Sequence, residues 1–168
     1  MTTLYLVRHG ETVDNAAQLM QGQTQGKLND VGIRQAEEVR DRLKNEQIDV
    51  FLASDLYRSI QTCEIIAAPH QTKVMKTALL RERDWGDFTG KYIPDLKDLP
   101  FPENVETIEE LKIRAQNFIM DVKTNYPNQV VLAVGHGIIN KAIQSVLGNL
   151  PMNEVYRMEN AEVRILNL

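Results

Sequence analysis

A single cysteine, Cys63, stands among 168 residues, so no disulfide can form within the chain. Its neighbours Thr62, Glu64, Ile65 and Ile66 read as one turn of a helix, and a small buried thiol is expected there. Positive charge is in deficit: 19 lysines and arginines face 23 acids, a net charge of −4. That balance speaks against a nucleic-acid partner, which needs a general basic stripe. No apolar run approaches the roughly 20 residues of a membrane-spanning helix. The first residues also lack the basic start, apolar middle and small-residue cleavage site of a secretory signal. The expectation is a soluble, cytoplasmic protein with neither membrane nor nucleic acid as partner. Repeats and low-complexity tracts are absent, and a 43% hydrophobic content over this length suits one domain, residues 1–168.

What is present alternates. Residues 4–7 and 48–53 are short apolar runs of strand length. A weaker run covers 72–75, residues 130–134 (VVLAV) form the strongest, and 163–168 alternate as an edge strand does. Between them Ile33, Ala36, Val39 and Leu43 recur at three and four, with Asn29 or Asp30 as cap. Helical spacing returns over 56–67 through Leu56, Ile60, Cys63 and Ala67 until Pro69, over 107–122 through Leu111, Ala115, Phe118 and Val122, and over 138–147. Residues 84–104 hold no sustained period and read as a loop or lid. The alternation predicts an α/β fold: a three-layer α/β/α sandwich whose central sheet is mostly parallel with an antiparallel edge strand. In such a sheet the carboxyl ends of the parallel strands open on one edge, where ligands bind.

That edge collects chemistry. Arg8 and His9 follow the first strand in LVRHGET, Ser54 and Arg58 follow the second, and His136 follows the strongest, between Gly135 and Gly137. A lone histidine at a loop start is ordinarily a surface group. Two at comparable strand ends, one beside an arginine and both beside glycine, point instead to a site. Arg8 offers a forked guanidinium that can hold a phosphate or carboxylate by two bonds. Arg58 lies one turn into a helix, where amides and dipole also favour an anion. Asn15, Gln21 and Gly22 are either ordinary loop residues or donors lining the same cleft. Glu82 is either a common loop acid or a proton donor. His70, after a proline at a helix end, reads as solvent-exposed.

Taken in order, LVRHGET with Asn15, LNDVGIRQA, SDLYRSIQT, LLRERDWGDFTG and VLAVGHG resemble the histidine phosphatase superfamily, with its phosphoglycerate mutase-like fold, over nearly the whole chain. The resemblance, to the small phosphatase branch, implies that His9 is the nucleophile and that Arg8, Arg58 and His136 hold the phosphoryl group. It implies that Glu82 donates the proton and that Asn15 touches the phosphate; Gln21, Gly22 and Gly137 are counted with the substrate contacts. The implied activity is hydrolysis of small-molecule phosphate esters through a covalent phosphohistidine, with no cofactor and no metal. Such chemistry needs a neutral His9 oriented by a backbone carbonyl, and a Glu82 kept protonated by dry neighbours, for which Trp85 and Phe88 are at hand.

The sequence departs from the family pattern at Gln25, Gly26 and Lys27 and at Thr89, positions expected to lie clear of the core constellation. Residues 91–105 are short beside the larger family members, which favours hydrolysis over the alternative, a phosphomutase of the phosphoglycerate mutase type. A catalytically silent phospho-ligand binding module is a further alternative. A metallohydrolase using Glu11 and Asp84 is disfavoured, because arginine sits poorly against a dication and no short ligand pair such as HxxxH is present. A homodimer is left open.

Overall fold

The computed structural model describes residues 1–168. Five strands form one sheet: β1 (Thr3–Arg8), β2 (Val50–Ser54), β3 (Val74–Thr77), β4 (Val130–Gly135) and β5 (Val163–Asn167). Their order is β3-β2-β4-β1-β5; β1, β2, β3 and β4 run parallel, and β5 pairs antiparallel with β1. The α/β sandwich with an antiparallel edge strand is therefore the fold. Four long helices cover the sheet: α2 (Asp30–Leu43), α3 (Tyr57–Ala67), α4 (Ile108–Asn125) and α5 (Gly137–Gly148). A four-residue helix, α1 (Val13–Ala16), follows the first strand and carries too few residues to show a period.

Alternation along the strands builds two cores. Leu4 and Leu6 of β1 and Val131 and Ala133 of β4 meet α4 and α5 through Leu111, Phe118, Ile139 and Ile143. On the opposite face Val7, Leu132 and Val134 meet α2 and α3 through Val39, Cys63 and Ile66. Because strand side chains alternate between faces, a strand packed on both sides shows no polar residues at all, which is why VVLAV reads as a continuous apolar run. Cys63 belongs to the second core, where burial pushes its thiol up out of the reactive range.

Helix starts follow the capping chemistry. The Asn29 side chain accepts from the Gly32 amide, and Thr107 forms a capping box with Glu110, so α4 begins where the hydroxyl satisfies an otherwise free amide. α3 ends at Ala67, ahead of Pro69, and a single 3-10 turn carries the chain to His70. His70 is not solvent-exposed as expected: it is half-buried, and its ring packs 5.0 Å from that of Phe51. The third strand begins at Val74, two residues later than its apolar run suggested.

The 84–104 segment is packed against the body. Phe88 and Leu96 are buried, Trp85 and Phe88 stand edge-on to Phe101, and the Arg83 guanidinium lies over both Trp85 and Phe101. No helix is long and apolar enough to cross a membrane.

Candidate active site

Sheet register places the two histidines side by side. Arg8, the last residue of β1, pairs with Gly135, the last of β4, so the next residues, His9 and His136, leave the sheet at one level. The His9 amide donates to the Gly135 carbonyl (3.2 Å), and the imidazole rings stand edge-on with centroids 5.1 Å apart. β2, the other neighbour of β4, ends at Ser54 and delivers Arg58 from the first turn of α3. Arg8, His9, Arg58 and His136 are 7, 2, 1 and 0% exposed, so two guanidinium charges are buried at this edge.

Each ring has one nitrogen assigned by its surroundings. His9 Nδ1 lies 2.7 Å from the Gly10 carbonyl, which can only accept, so this nitrogen carries the proton and Nε2 carries the lone pair. His136 Nε2 lies 2.9 Å from Ser54 Oγ and 3.1 Å from Ser59 Oγ. The Ser54 oxygen already accepts from the Leu56 amide (3.2 Å), which frees its O–H to donate to the ring. Ser59 has the Gly135 carbonyl at 3.4 Å as its own acceptor. The tautomer in which Nε2 accepts from Ser54 places the His136 proton on Nδ1. Both rings are held well below the ordinary imidazole range, first by burial, which disfavours the charged form, and second by the Arg58 guanidinium. Both are neutral at pH 7.

The arginines are braced by backbone oxygens. Arg8 donates from Nη1 to the Met158 carbonyl (2.7 Å). Arg58 donates from Nη2 to the Gly22 carbonyl (2.7 Å) and from Nη1 to the carbonyls of Thr24 and Gln25. Gly26, with φ +66°, leaves room for this: a Cβ there would lie 3.1 Å from Arg58 Cδ. The divergent 25–27 stretch therefore touches the constellation after all, because the Gln25 carbonyl accepts from the Arg58 guanidinium and amide. Burial brings both guanidinium groups down to about 10. At this edge of the sheet three buried nitrogens have no partner in the chain, Arg8 Nε, Arg58 Nε and His136 Nδ1; His70 Nε2, packed by Phe51, is another. Unpaired buried donors are rare in folded proteins, and three around one imidazole describe an anion site.

Glu82 meets the same place from the third side. Its carboxylate accepts from the Ile138 and Ile139 amides at the start of α5, at 3.0 Å each, and from its neighbour Arg83 (2.8 Å). It lies near enough to bear on both Arg8 and Arg58. The dry neighbours expected for it are elsewhere engaged, Trp85 beneath Arg83 and Phe88 against Phe101. Asn15 closes the capping box of α1 on Thr12, its Oδ1 accepting from the Thr12 amide (3.1 Å), so its Nδ2 is the group left for a ligand. Gln21 spends its Oε1 on the Thr12 hydroxyl (2.9 Å), and Gly22 faces Arg58 with its carbonyl. A Cβ on Gly137 would lie 3.4 Å from Arg8 Nε, so this glycine keeps the approach open.

Gly10 is required by close packing: a Cβ there would lie 2.5 Å from the Gly32 carbonyl oxygen, where α2 abuts the loop. Three further residues, Ser59, Asn160 and Arg157, join Ser54 at the site. Ser54 and Ser59 set the His136 tautomer. Asn160 donates to the His9 carbonyl (3.1 Å), and the Arg157 guanidinium reaches the space over Gly137. The serines carried a signal in SDLYRS, adjacent to a strand end. Arg157 and Asn160 lie in an aperiodic stretch and carried none. Glu11 accepts from Asn29 (2.8 Å), Asp84 caps the Gly86 amide (2.9 Å), and no group of three or more His, Cys, Asp or Glu side chains is arranged to hold a metal ion.

Comparison with known proteins agrees with this geometry. The profile of the histidine phosphatase superfamily (branch 1) matches residues 4–168. "Uncharacterized phosphatase PhoE" of Bacillus subtilis (strain 168) is 36% identical over 166 residues, spanning 96% of this chain and 86% of that protein. "Probable phosphoglycerate mutase GpmB" of Proteus mirabilis (strain HI4320) is 34% identical over 166 residues, spanning 90% and 77%. The solved structure of Bacillus stearothermophilus YhfR superposes with a TM-score of 0.94 at 24% identity, over 100% of this chain and 92% of that one, which shows the fold.

Proposed function

The chain belongs to the histidine phosphatase superfamily, and from that premise we propose that it is a metal-independent phosphomonoesterase acting through a phosphohistidine on His9. The observation that carries this reading is the set of three buried, partnerless donors beside an imidazole whose Nδ1 is already tied down. In the first step the His9 Nε2 lone pair attacks phosphorus and the bond from phosphorus to the ester oxygen breaks. Splitting the reaction in two lowers the hardest barrier. Arg8 Nε, Arg58 Nε and His136 Nδ1–H donate to the non-bridging oxygens; one such fixed donor is worth roughly 3 kcal/mol. His136 does this as a neutral donor, so Ser54 matters as the group that puts the proton on the right nitrogen.

Glu82 serves as the acid for the departing oxygen. A proton on its carboxyl passes to the leaving oxygen as that bond breaks. As the carboxylate it next takes a proton from water, whose oxygen attacks the phosphohistidine and restores His9. A panel of chemically varied phosphate esters, assayed for inorganic phosphate in the presence of chelator, tests the reading. Turnover that survives chelation is expected, and turnover restored only by added metal would reject metal independence.

The similarity to a mutase-named relative keeps one second reading in view, return of the phosphoryl group to an alcohol instead of water. Formation of an isomeric ester without release of inorganic phosphate would establish it.

A further inference from the structure

Asn15 offers its Nδ2 to a ligand only while its amide is held the right way round. The Thr12 amide donates to its Oδ1 (3.1 Å), which settles where the oxygen lies, because two N–H donors would otherwise face each other. One bond fixes the oxygen but leaves the amide plane able to swing about it. Asn160 supplies the second. Its Nδ2 lies 3.4 Å from Asn15 Oδ1 and 3.1 Å from the His9 carbonyl. Both partners accept, so the two hydrogens of one NH2 group span the backbone of His9 and the side chain of Asn15.

The next residue shows which of these two bonds matters more. Ala161 holds φ at +60°, the left-handed region that a residue with a Cβ rarely adopts. In that conformation its amide reaches the carbonyls of Arg8 (2.9 Å) and His9 (3.2 Å). The His9 carbonyl therefore keeps a donor when Asn160 is removed, whereas Asn15 Oδ1 keeps only the Thr12 amide, and its plane is loosened. Asn15 and Asn160 border, with Arg8, one cavity of about 370 Å³, so the amide direction set here bears on the space beside the buried donors. We infer that Asn160 is a positioning residue: it locks the Asn15 amide plane so that Nδ2 donates to a phosphoryl oxygen, and it acts on the bound anion only through Asn15. The inference rests on the phosphatase reading for what Asn15 meets, but its main test reads binding without turnover.

The test is a double-mutant cycle on the affinity for inorganic phosphate, measured by calorimetry. Asn15→Ala is expected to weaken phosphate about tenfold, the worth of one bond to a charged oxygen. Asn160→Ala is expected to weaken it about fourfold with Asn15 in place and less than about twofold in the Asn15→Ala background. Asn160→Leu, which keeps the volume and removes the donors, repeats the cycle where the alanine variant melts early. Hydrolysis of p-nitrophenyl phosphate gives a second readout. Asn160→Ala is expected to raise KM while leaving kcat within about twofold, since the Asn15 bond holds ester and transition state alike. Equal weakening by Asn160→Ala in the two backgrounds, no weakening in either, or a fall in kcat at unchanged KM would overturn the inference. Coupling between the two residues in a protein that hydrolyses no ester would reject the phosphatase reading and leave the role of Asn160 standing.

Discussion

At the scale of single residues, the proposed chemistry turns on which nitrogen carries a proton. His9 and His136 are the same side chain in neighbouring positions with opposite duties, one presenting a lone pair and the other an N–H. The difference comes from a carbonyl on one side and a serine hydroxyl on the other. Ser54→Ala is accordingly expected to lower kcat by roughly tenfold with little change in melting temperature, because the His136 ring is then free to place its proton on Nε2. An unchanged kcat would remove Ser54 from the account.

Burial of both rings also links folding to pH. Each is held well below its ordinary value of 6.5, so the unfolded chain binds protons that the folded chain excludes. Their contribution to stability is full above about pH 6.5 and declines as the pH falls toward the depressed folded values. Urea midpoints are expected to drop on acidification from about pH 7.5 to about pH 5, and His136→Asn to flatten that dependence. Parallel slopes in the two proteins would contradict the assignment. The placement of these residues was partly legible in the sequence. Arg8, His9, Arg58 and His136 stand at strand ends or one turn beyond, and their motif announced an anion site. The reason for Gly10 was not legible, because its close neighbour Gly32 approaches only when α2 packs against the loop.

At the scale of elements, the acid segment is held by a helix behind it. Arg114 of α4 donates to the carbonyls of Leu79 (3.0 Å), Arg81 (2.6 Å) and Glu82 (3.3 Å), and pairs through two nitrogens with Glu106. Its side chain and that of Glu106 are 17 and 13% exposed, so the pair is largely shielded from water. Arg114→Ala takes the Leu79 and Arg81 carbonyls' side-chain donor away and leaves the Glu106 carboxylate only the Asp84 amide, and is expected to cost about 2–3 kcal/mol in urea unfolding. A loss under about 0.5 kcal/mol, the range of an ordinary surface change, would show that the segment holds its own shape. Elements with sustained patterns were readable: four long helices and the central strands announce themselves by period and by unbroken apolar runs. α1 and the packing of residues 84–104 were not, since four-residue turns carry no period and the Trp85, Phe88 and Phe101 contacts join positions distant in sequence.

At the scale of the whole molecule, a chain of net charge −4 concentrates buried positive charge at the carboxyl edge of its sheet. Overall charge therefore says little about the ligand, while strand order says a great deal: β1 and β4 are neighbours, and that adjacency brings residues 9 and 136 together across 127 positions of sequence. Two cores on the two faces of the sheet hold this edge, so that its donors are fixed in advance, as the proposed reaction requires. The alternation of strands and helices made that sheet edge predictable, but not the segment ahead of β5, whose Met158 carbonyl and Asn160 amide brace Arg8 and His9 from the far end of the chain.

The most direct test is to mix the protein with an ester labelled in its phosphoryl group, quench within the first turnover, and locate the label by mass spectrometry. The account expects an acid-labile phosphoryl group on a nitrogen of His9, absent from His9→Ala. Label on another residue, or phosphate release by His9→Ala at the rate of the unaltered protein, would contradict it.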